Sequence, residues 1–109
     1  TQKSLIMYRQ KSSGSSPLFL KRKLEEGAVL LDVRTHHEHA GYHWEGAVNI
    51  PCEEIECMKS FIKDWNKPVV VFSAQGRRSE IATRKLQRAG VEAYNGGAMW
   101  DLESFFGCN

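Results

Sequence analysis

The stretch VVVFSAQGRRSEIA, residues 69–82, contains the side chains best suited to hold or attack a small molecule. An apolar run ends at Ser73, Gly76 allows a tight curl of the loop, and a helical pattern begins near Arg77. Backbone N–H groups that curl around a helix start carry partial positive charge and favour an anion. The adjacent Arg77 and Arg78 add permanent positive charge. The loop therefore predicts an anion cradle with Ser73 at its base.

The surrounding sequence alternates strand patterns with helix patterns. Strands are predicted at AVLLDV (28–33), GAVNI (46–50), VVVF (69–72) and VEAY (91–94), with helices between them and a glycine turn, NGG, entering a last helix. This alternation indicates an α/β fold, a parallel sheet with helices on both faces. Ligands of such sheets bind beyond the carboxyl ends of the strands. The loop, the NGG turn and the end of LLDVR should meet there.

The loop at residues 73–78 could bind an anion, or it could be an ordinary glycine turn followed by a solvent-exposed helix face. Motifs elsewhere in the chain favour the binding loop. LLDVRTHHEHAGYHWEGAVNIP (30–51), FSAQGRRSEIA (72–82) and NGGAMW (95–100) occur in that order. They resemble the first motif, the active-site loop C-x-x-G-x-R-S and the late double-glycine turn of the rhodanese domain of sulfurtransferases. The resemblance covers about residues 17–102 and implies a rhodanese-like domain at 17–109, after an N-terminal segment or linker at 1–16.

The resemblance also implies a site and a chemistry. In the family, a cysteine thiolate takes sulfane sulfur from a thiosulfate-like anion as a persulfide and passes it to a thiol or protein acceptor. The loop from Ser73 to Arg78 has six residues, which suits sulfur, whereas related phosphatases use a longer loop. No cofactor is implied. The implied residues are Ser73 (nucleophile position) and Arg78 as catalytic, Ala74, Gln75, Gly76, Arg77 and Ser79 as anion-binding, and Asp32 and Arg34 as supporting.

Ser73 is the departure from the family pattern that concerns chemistry, because the family has cysteine there. A hydroxyl is far less acidic than a thiol and oxygen cannot form a persulfide, so this chain should not turn over sulfur at this site. Two accounts stay open. We favour an engineered Cys-to-Ser change in a sulfurtransferase, since Gly76, Arg78 and Ser79 are intact. The alternative is a natural non-catalytic module that binds an anion or a protein partner.

The histidines suggest a different class of function. His36, His39 and His43 are spaced to share one helix face, which could bind a metal ion. No carboxylate or cysteine completes a ligand set at suitable spacing, so we interpret them as turn residues and predict no metal. His39 also stands where the family has an aromatic residue, and Tyr42 where it has a glycine. The spacing from Gly97 to Trp100 is a residue short.

Composition bounds the remaining classes. The 109 residues carry a formal net charge of +2, with 41% hydrophobic and 26% charged residues, typical of one soluble domain. The run KRK at 21–23 precedes two glutamates, which argues against nucleic acid as a partner. No apolar run has membrane-spanning length and nothing resembles a signal peptide. Three cysteines without C-x-x-C favour a reducing, cytoplasmic setting.

Overall fold

The computed structural model describes residues 15–103, which form a four-stranded parallel sheet between two layers of helices. The strand order is β2-β1-β3-β4, and all three neighbouring pairs are parallel. The predicted α/β class is confirmed. In chain order the elements are α1 (Pro17–Glu25), β1 (Val29–Asp32), α2 (His36–Gly41), β2 (Val48–Asn49), a 3-10 turn (Cys52–Glu54), α3 (Ile55–Lys63), β3 (Val69–Ser73), α4 (Arg77–Arg88), β4 (Ala93–Ala98) and α5 (Met99–Leu102).

Strand β3 is central and every one of its residues is buried. Alternate side chains of a strand point to opposite faces, so a strand covered on both sides is apolar throughout. Val69 and Val71 pack in one cluster with residues of α3 and α4. Val70 and Phe72 pack in a second cluster with Leu20 of α1 and with residues of α5. This double burial explains the unbroken VVVF run and fixes the position of the loop that follows it.

The helices begin where the sequence places capping residues. The Ser16 hydroxyl accepts a hydrogen bond from the Phe19 amide, and Pro17 occupies the first turn of α1. In α2 the Thr35 hydroxyl accepts from the Glu38 amide while the Glu38 carboxylate accepts from the Thr35 amide. This capping box holds the start of α2 directly after β1.

Strand β4 differs from the prediction. It begins at Ala93 and runs through the NGG segment, for which the sequence predicts a turn. A register shift opposite Val71 and Phe72 accommodates the extra residue, and Gly97 takes φ +85° at this bulge. A Cβ on Gly96 would lie 2.9 Å from the Val71 carbonyl oxygen. The glycines therefore let β4 stay against β3 instead of turning away.

Some predictions fall on other parts of the chain. The predicted segment at 1–16 lies outside the described residues except for its last two, and so do Cys108 and the end of the last helix pattern. Within residues 15–103, no helix combines the length and apolar character needed to cross a membrane.

Candidate functional site

The polar loop lies between the end of β3 and the start of α4, at the carboxyl edge of the sheet. Gly76 precedes the first residue of α4 and adopts the left-handed conformation, with φ +88°. A Cβ at this position would lie 3.3 Å from the Ala98 amide nitrogen of β4. The absence of a side chain therefore serves both the turn and the close approach of the loop to the neighbouring strand.

Ser73 lies at the base of this loop and is 1% exposed. Its Oγ accepts hydrogen bonds from the backbone amides of Gly76, at 3.0 Å, and Ser79, at 3.2 Å. Two N–H groups, from the cap and the first turn of α4, thus converge on the side-chain atom at position 73. Amides that point at one atom stabilise negative charge on it and would lower the pKa of an acidic group there.

Arg78 does not turn toward Ser73 but pairs with α2. Its Nη1 and Nη2 donate to the two carboxylate oxygens of Glu38, at 2.8 and 3.2 Å. This bond, together with the Thr35 amide and against a partial desolvation, lowers the pKa of Glu38 to about 2. The same bond raises the pKa of Arg78. Arg77 is exposed and makes no ion pair within the described part of the chain.

Asp32 and Arg34 form a buried pair at the end of β1. Arg34 Nη2 donates to Asp32 Oδ2 at 2.8 Å, and the Arg34 amide donates to Asp32 Oδ1 at 2.9 Å. Nδ1 of His39 lies 2.8 Å from the same Asp32 Oδ2, and its ring stacks on His43 with centroids 4.0 Å apart. The histidine at the family's aromatic position therefore supplies both a stacking ring and a bond to the buried carboxylate.

The three histidines do not meet at a common point. Helix α2 ends at Gly41, so His43 lies beyond it. The His36 ring lies within hydrogen-bond distance of Asn49 and Glu54, away from the other two. Among residues 15–103, no group of three or more histidine, cysteine or acidic side chains is arranged to hold a metal ion.

The remaining predicted residues lie on the outer side of the loop. Ala74 is half-buried and Gln75 is exposed. Gln75, Gly76 and Arg77 line a cavity of about 590 Å³ whose other walls are formed by β4, the last two residues of α5 and residues 15–17. This volume is in the range of small-molecule sites. The loop thus has two sides, one directed at Ser73 and one at this cavity.

Two residues outside the predicted site make structural contacts with it. Glu38 binds Arg78 through its carboxylate. The pattern Thr35-x-x-Glu38 in the sequence indicates a helix capping box, and this was the available signal for a structural role of Glu38. Asn95 Oδ1 accepts hydrogen bonds from the Ser79 hydroxyl and the Gly97 amide. An asparagine directly before two glycines indicates only a turn, so no sequence pattern points to the bond with Ser79.

Comparison with known proteins agrees with this geometry. A family model described as the rhodanese-like domain matches residues 16–100. The chain is 38% identical over 69 residues to YqhL of Bacillus subtilis strain 168, covering 62% of this chain and 54% of that protein. It also spans 36% of another Bacillus subtilis relative, at 33% identity. The chain therefore spans about a half or less of these two relatives.

Other relatives match over more of their length. PspE of Escherichia coli K12, a thiosulfate sulfurtransferase, is 32% identical over 74 residues, which are 66% of this chain and 71% of PspE. The structure of the human single-domain sulfurtransferase TSTD1 superposes with a TM-score of 0.67 at 29% identity, covering 84% of this chain and 98% of that one. Because the matched family model includes every strand of the sheet and the loop at residues 73–78, this chain belongs to the rhodanese-like domain family.

Proposed function

We propose that the loop at residues 73–78 is a sulfur-transfer cradle that is silent in this chain because its nucleophile position holds Ser73. The observation that carries the proposal is the convergence of the Gly76 and Ser79 amides on Ser73 Oγ. A cysteine sulfur in place of this oxygen would accept hydrogen bonds from the same two amides and would lie at the positive end of α4. Both interactions favour the thiolate over the thiol. The family, and the thiosulfate sulfurtransferase among its relatives, supply the class of chemistry.

The proposed reaction of a cysteine-bearing form has two steps. The thiolate attacks the outer sulfur of a thiosulfate-type anion, the S–S bond of the donor breaks, and sulfite leaves with the electron pair. The enzyme then carries a persulfide. An acceptor thiolate or cyanide attacks the outer sulfur of the persulfide, takes it, and returns the enzyme thiolate. The Ser73 hydroxyl stays protonated at neutral pH and cannot begin this cycle.

The role of each remaining loop residue follows from where it lies. We propose that Arg77, which is exposed and unpaired within the described residues, attracts the donor anion. Arg78 acts through its bond to Glu38 by anchoring the loop, and the Asp32–Arg34 pair supports α2 through the contact of Asp32 with His39. The free thiols of Cys52 and Cys57 agree with a reducing compartment such as the cytoplasm, which we retain as a prediction.

A second candidate is a non-catalytic module that binds a small anion or a protein partner. The cavity of about 590 Å³ beside Gln75, Gly76 and Arg77 favours this candidate, because binding a ligand there requires no nucleophile. The parent gene distinguishes the origins: a cysteine codon at position 73 identifies an engineered change, and a serine codon identifies a natural module.

The test of the proposed function is Ser73→Cys assayed for thiosulfate:cyanide sulfurtransferase activity. We expect no activity above background in the unaltered chain, and activity with a cyanide-labile persulfide in the variant. Ser60→Cys is the matched control, because it adds a thiol at an exposed position of α3 outside the loop. Activity in both variants would mean that an added thiol outside the loop serves equally well and would contradict the proposal.

Two further outcomes are informative. A Ser73→Cys variant that folds but stays inert would favour the binding module, and would point to His39 and Tyr42 as changes that spoil the pocket. Activity in the unaltered chain would overturn both candidates and direct attention to Cys52 and Cys57.

A further inference from the structure

We propose that Asn95 is a positioning residue for the cradle: it holds the Ser79 hydroxyl so that the amides of Gly76 and Ser79 stay aimed at position 73. The inference rests on the proposed function, since the cradle it supports is the proposed sulfur site. It adds a residue from β4, on a different element from the loop, to the groups that govern the reactivity of a thiol at position 73.

The contacts of Asn95 identify its role. Oδ1 lies 2.8 Å from Ser79 Oγ and 2.9 Å from the Gly97 amide nitrogen. The Gly97 amide can only donate, so the side-chain atom that meets it must be the oxygen, and the Ser79 hydroxyl donates to that same oxygen. Both acceptor sites of this oxygen are filled, one from α4 and one from the bulge of β4. Asn95 therefore joins the first turn of α4 to the neighbouring strand.

Ser79 transmits this connection to position 73. Ser79 is fully buried, its amide donates to Ser73 Oγ, and its hydroxyl lies 3.0 Å from the Gly76 carbonyl oxygen. Gly76 provides the second amide at Ser73 Oγ. With its proton donated to Asn95 Oδ1, the Ser79 side chain connects Asn95 to the residue that provides one cradle amide, and it lies beside Gly76, which provides the other. Without Asn95, the Gly97 amide loses its acceptor, and the Ser79 hydroxyl is left with the Gly76 carbonyl oxygen of its own turn. The first turn of α4 then loses its shortest side-chain bond to β4 and can rotate.

The experiment measures the thiol introduced by Ser73→Cys, with no sulfur donor present. The rate of iodoacetamide alkylation is followed against pH on the peptide that carries position 73, by mass spectrometry, so that other cysteines do not interfere. We expect Asn95→Ala, combined with Ser73→Cys, to raise the pKa of this thiol by about one unit, because the amide bonds to the thiolate weaken. For a Ser73→Cys thiol with a pKa of about 7, this shift lowers the thiolate fraction at pH 7, and with it the alkylation rate, about five-fold.

Gln87→Ala is the matched control. Gln87 Nε2 donates to the Ala93 carbonyl oxygen at 2.9 Å, so it also joins α4 to β4, at the end away from the loop. Its loss should leave the thiol pKa unchanged even if it lowers the melting temperature. Ser79→Ala removes the hydroxyl donor of the same Asn95–Ser79 hydrogen bond. This variant replaces Asn95→Ala in the test if Asn95→Ala fails to fold. Combining Asn95→Ala with Ser79→Ala should shift the pKa no further than either change alone.

The failures are distinguishable. A lowered thiol pKa in Ser73→Cys that survives Asn95→Ala, or that Gln87→Ala raises equally, would overturn the role of Asn95 and leave the proposed function intact. An ordinary thiol pKa of about 8.5 in Ser73→Cys itself would contradict the cradle, and the role of Asn95 would fall with it.

Discussion

The guanidinium of Arg78 forms a bidentate ion pair with the carboxylate of Glu38, with Nη1–Oε1 and Nη2–Oε2 distances of 2.8 and 3.2 Å. This pair joins the last residue of the loop to α2. Each side chain is about one third exposed, at 34% and 35%. The Thr35 amide donates to the same carboxylate from the start of α2. Glu38 therefore caps its own helix and anchors the loop, and its charge matters to both.

The first prediction concerns acid stability. The pKa of Glu38 is lowered to about 2 from the usual 4.5, so its contribution to stability is full above pH 4.5 and is lost as the pH falls toward 2. Glu38→Gln should lower the free energy of unfolding at pH 7 by about 1 kcal/mol, allowing for solvent screening. The difference between the two proteins should shrink between pH 4.5 and 2 in urea titrations.

Glu45→Gln is the control for this measurement. Glu45 is exposed and makes no ion pair within residues 15–103, so its removal should leave the pH dependence of unfolding nearly unchanged. Equal curves for Glu38→Gln and the unaltered chain across this range would show that the Arg78 pair adds no stability.

The second prediction concerns Gly76. Gly76→Ala forces a side chain into φ +88° and brings Cβ to 3.3 Å from the Ala98 amide nitrogen. Gly46→Ala is the matched control, because Gly46 has φ +84° but a Cβ there would meet nothing within 4 Å beyond its chain neighbours. We expect Gly46→Ala to cost about 1 kcal/mol of unfolding free energy through backbone strain, and Gly76→Ala about 2 kcal/mol or more. Thermal denaturation measures both, and equal costs would show that the loop can move away from β4.

The third prediction concerns anion binding by the unaltered chain. Thiosulfate should bind weakly and shift the amide NMR signals of residues 76–79, and added salt should reduce the shifts, since the loop's cation is exposed to solvent. Arg77→Gln should weaken this binding several-fold. Arg88→Gln removes the same charge at the other end of α4 and should change it little. Loop signals that do not respond to thiosulfate at low salt would remove the binding module as well.

The fourth prediction compares the two described cysteines. Cys52 is 9% exposed, its Sγ lies 3.5 Å from the Arg78 carbonyl oxygen, and burial raises its pKa. Cys57 is exposed. Iodoacetamide at pH 8 should therefore modify Cys57 at least about ten-fold faster than Cys52 in the folded protein, because burial both blocks access to Cys52 and raises its pKa. Peptide mapping gives the two rates, and fast modification of Cys52 would mean that the loop opens readily.

Part of the fold could be predicted because it depends on local pattern. The apolar run at 69–72 is buried on both faces, and Ser16 followed by Pro17 starts α1. The end of β4 could not be predicted in the same way. Two glycines ordinarily indicate a turn, but here they continue the strand: β3 lies close enough to exclude a side chain at Gly96, and Gly97 takes the positive φ of the bulge.

By itself, the sequence determined the α/β class, the position of the loop after β3 and the residue at position 73, because these depend on periodicity, on glycine and on residue identity. Only the tertiary structure decided which groups meet. Arg78 pairs with Glu38, 40 residues earlier, and Ser79 bonds to Asn95 on the neighbouring strand. The Asp32 carboxylate contacts both Arg34 and His39. Such partners are set by how the helices pack across the sheet, and the spacing of residues along a single element carries no record of them.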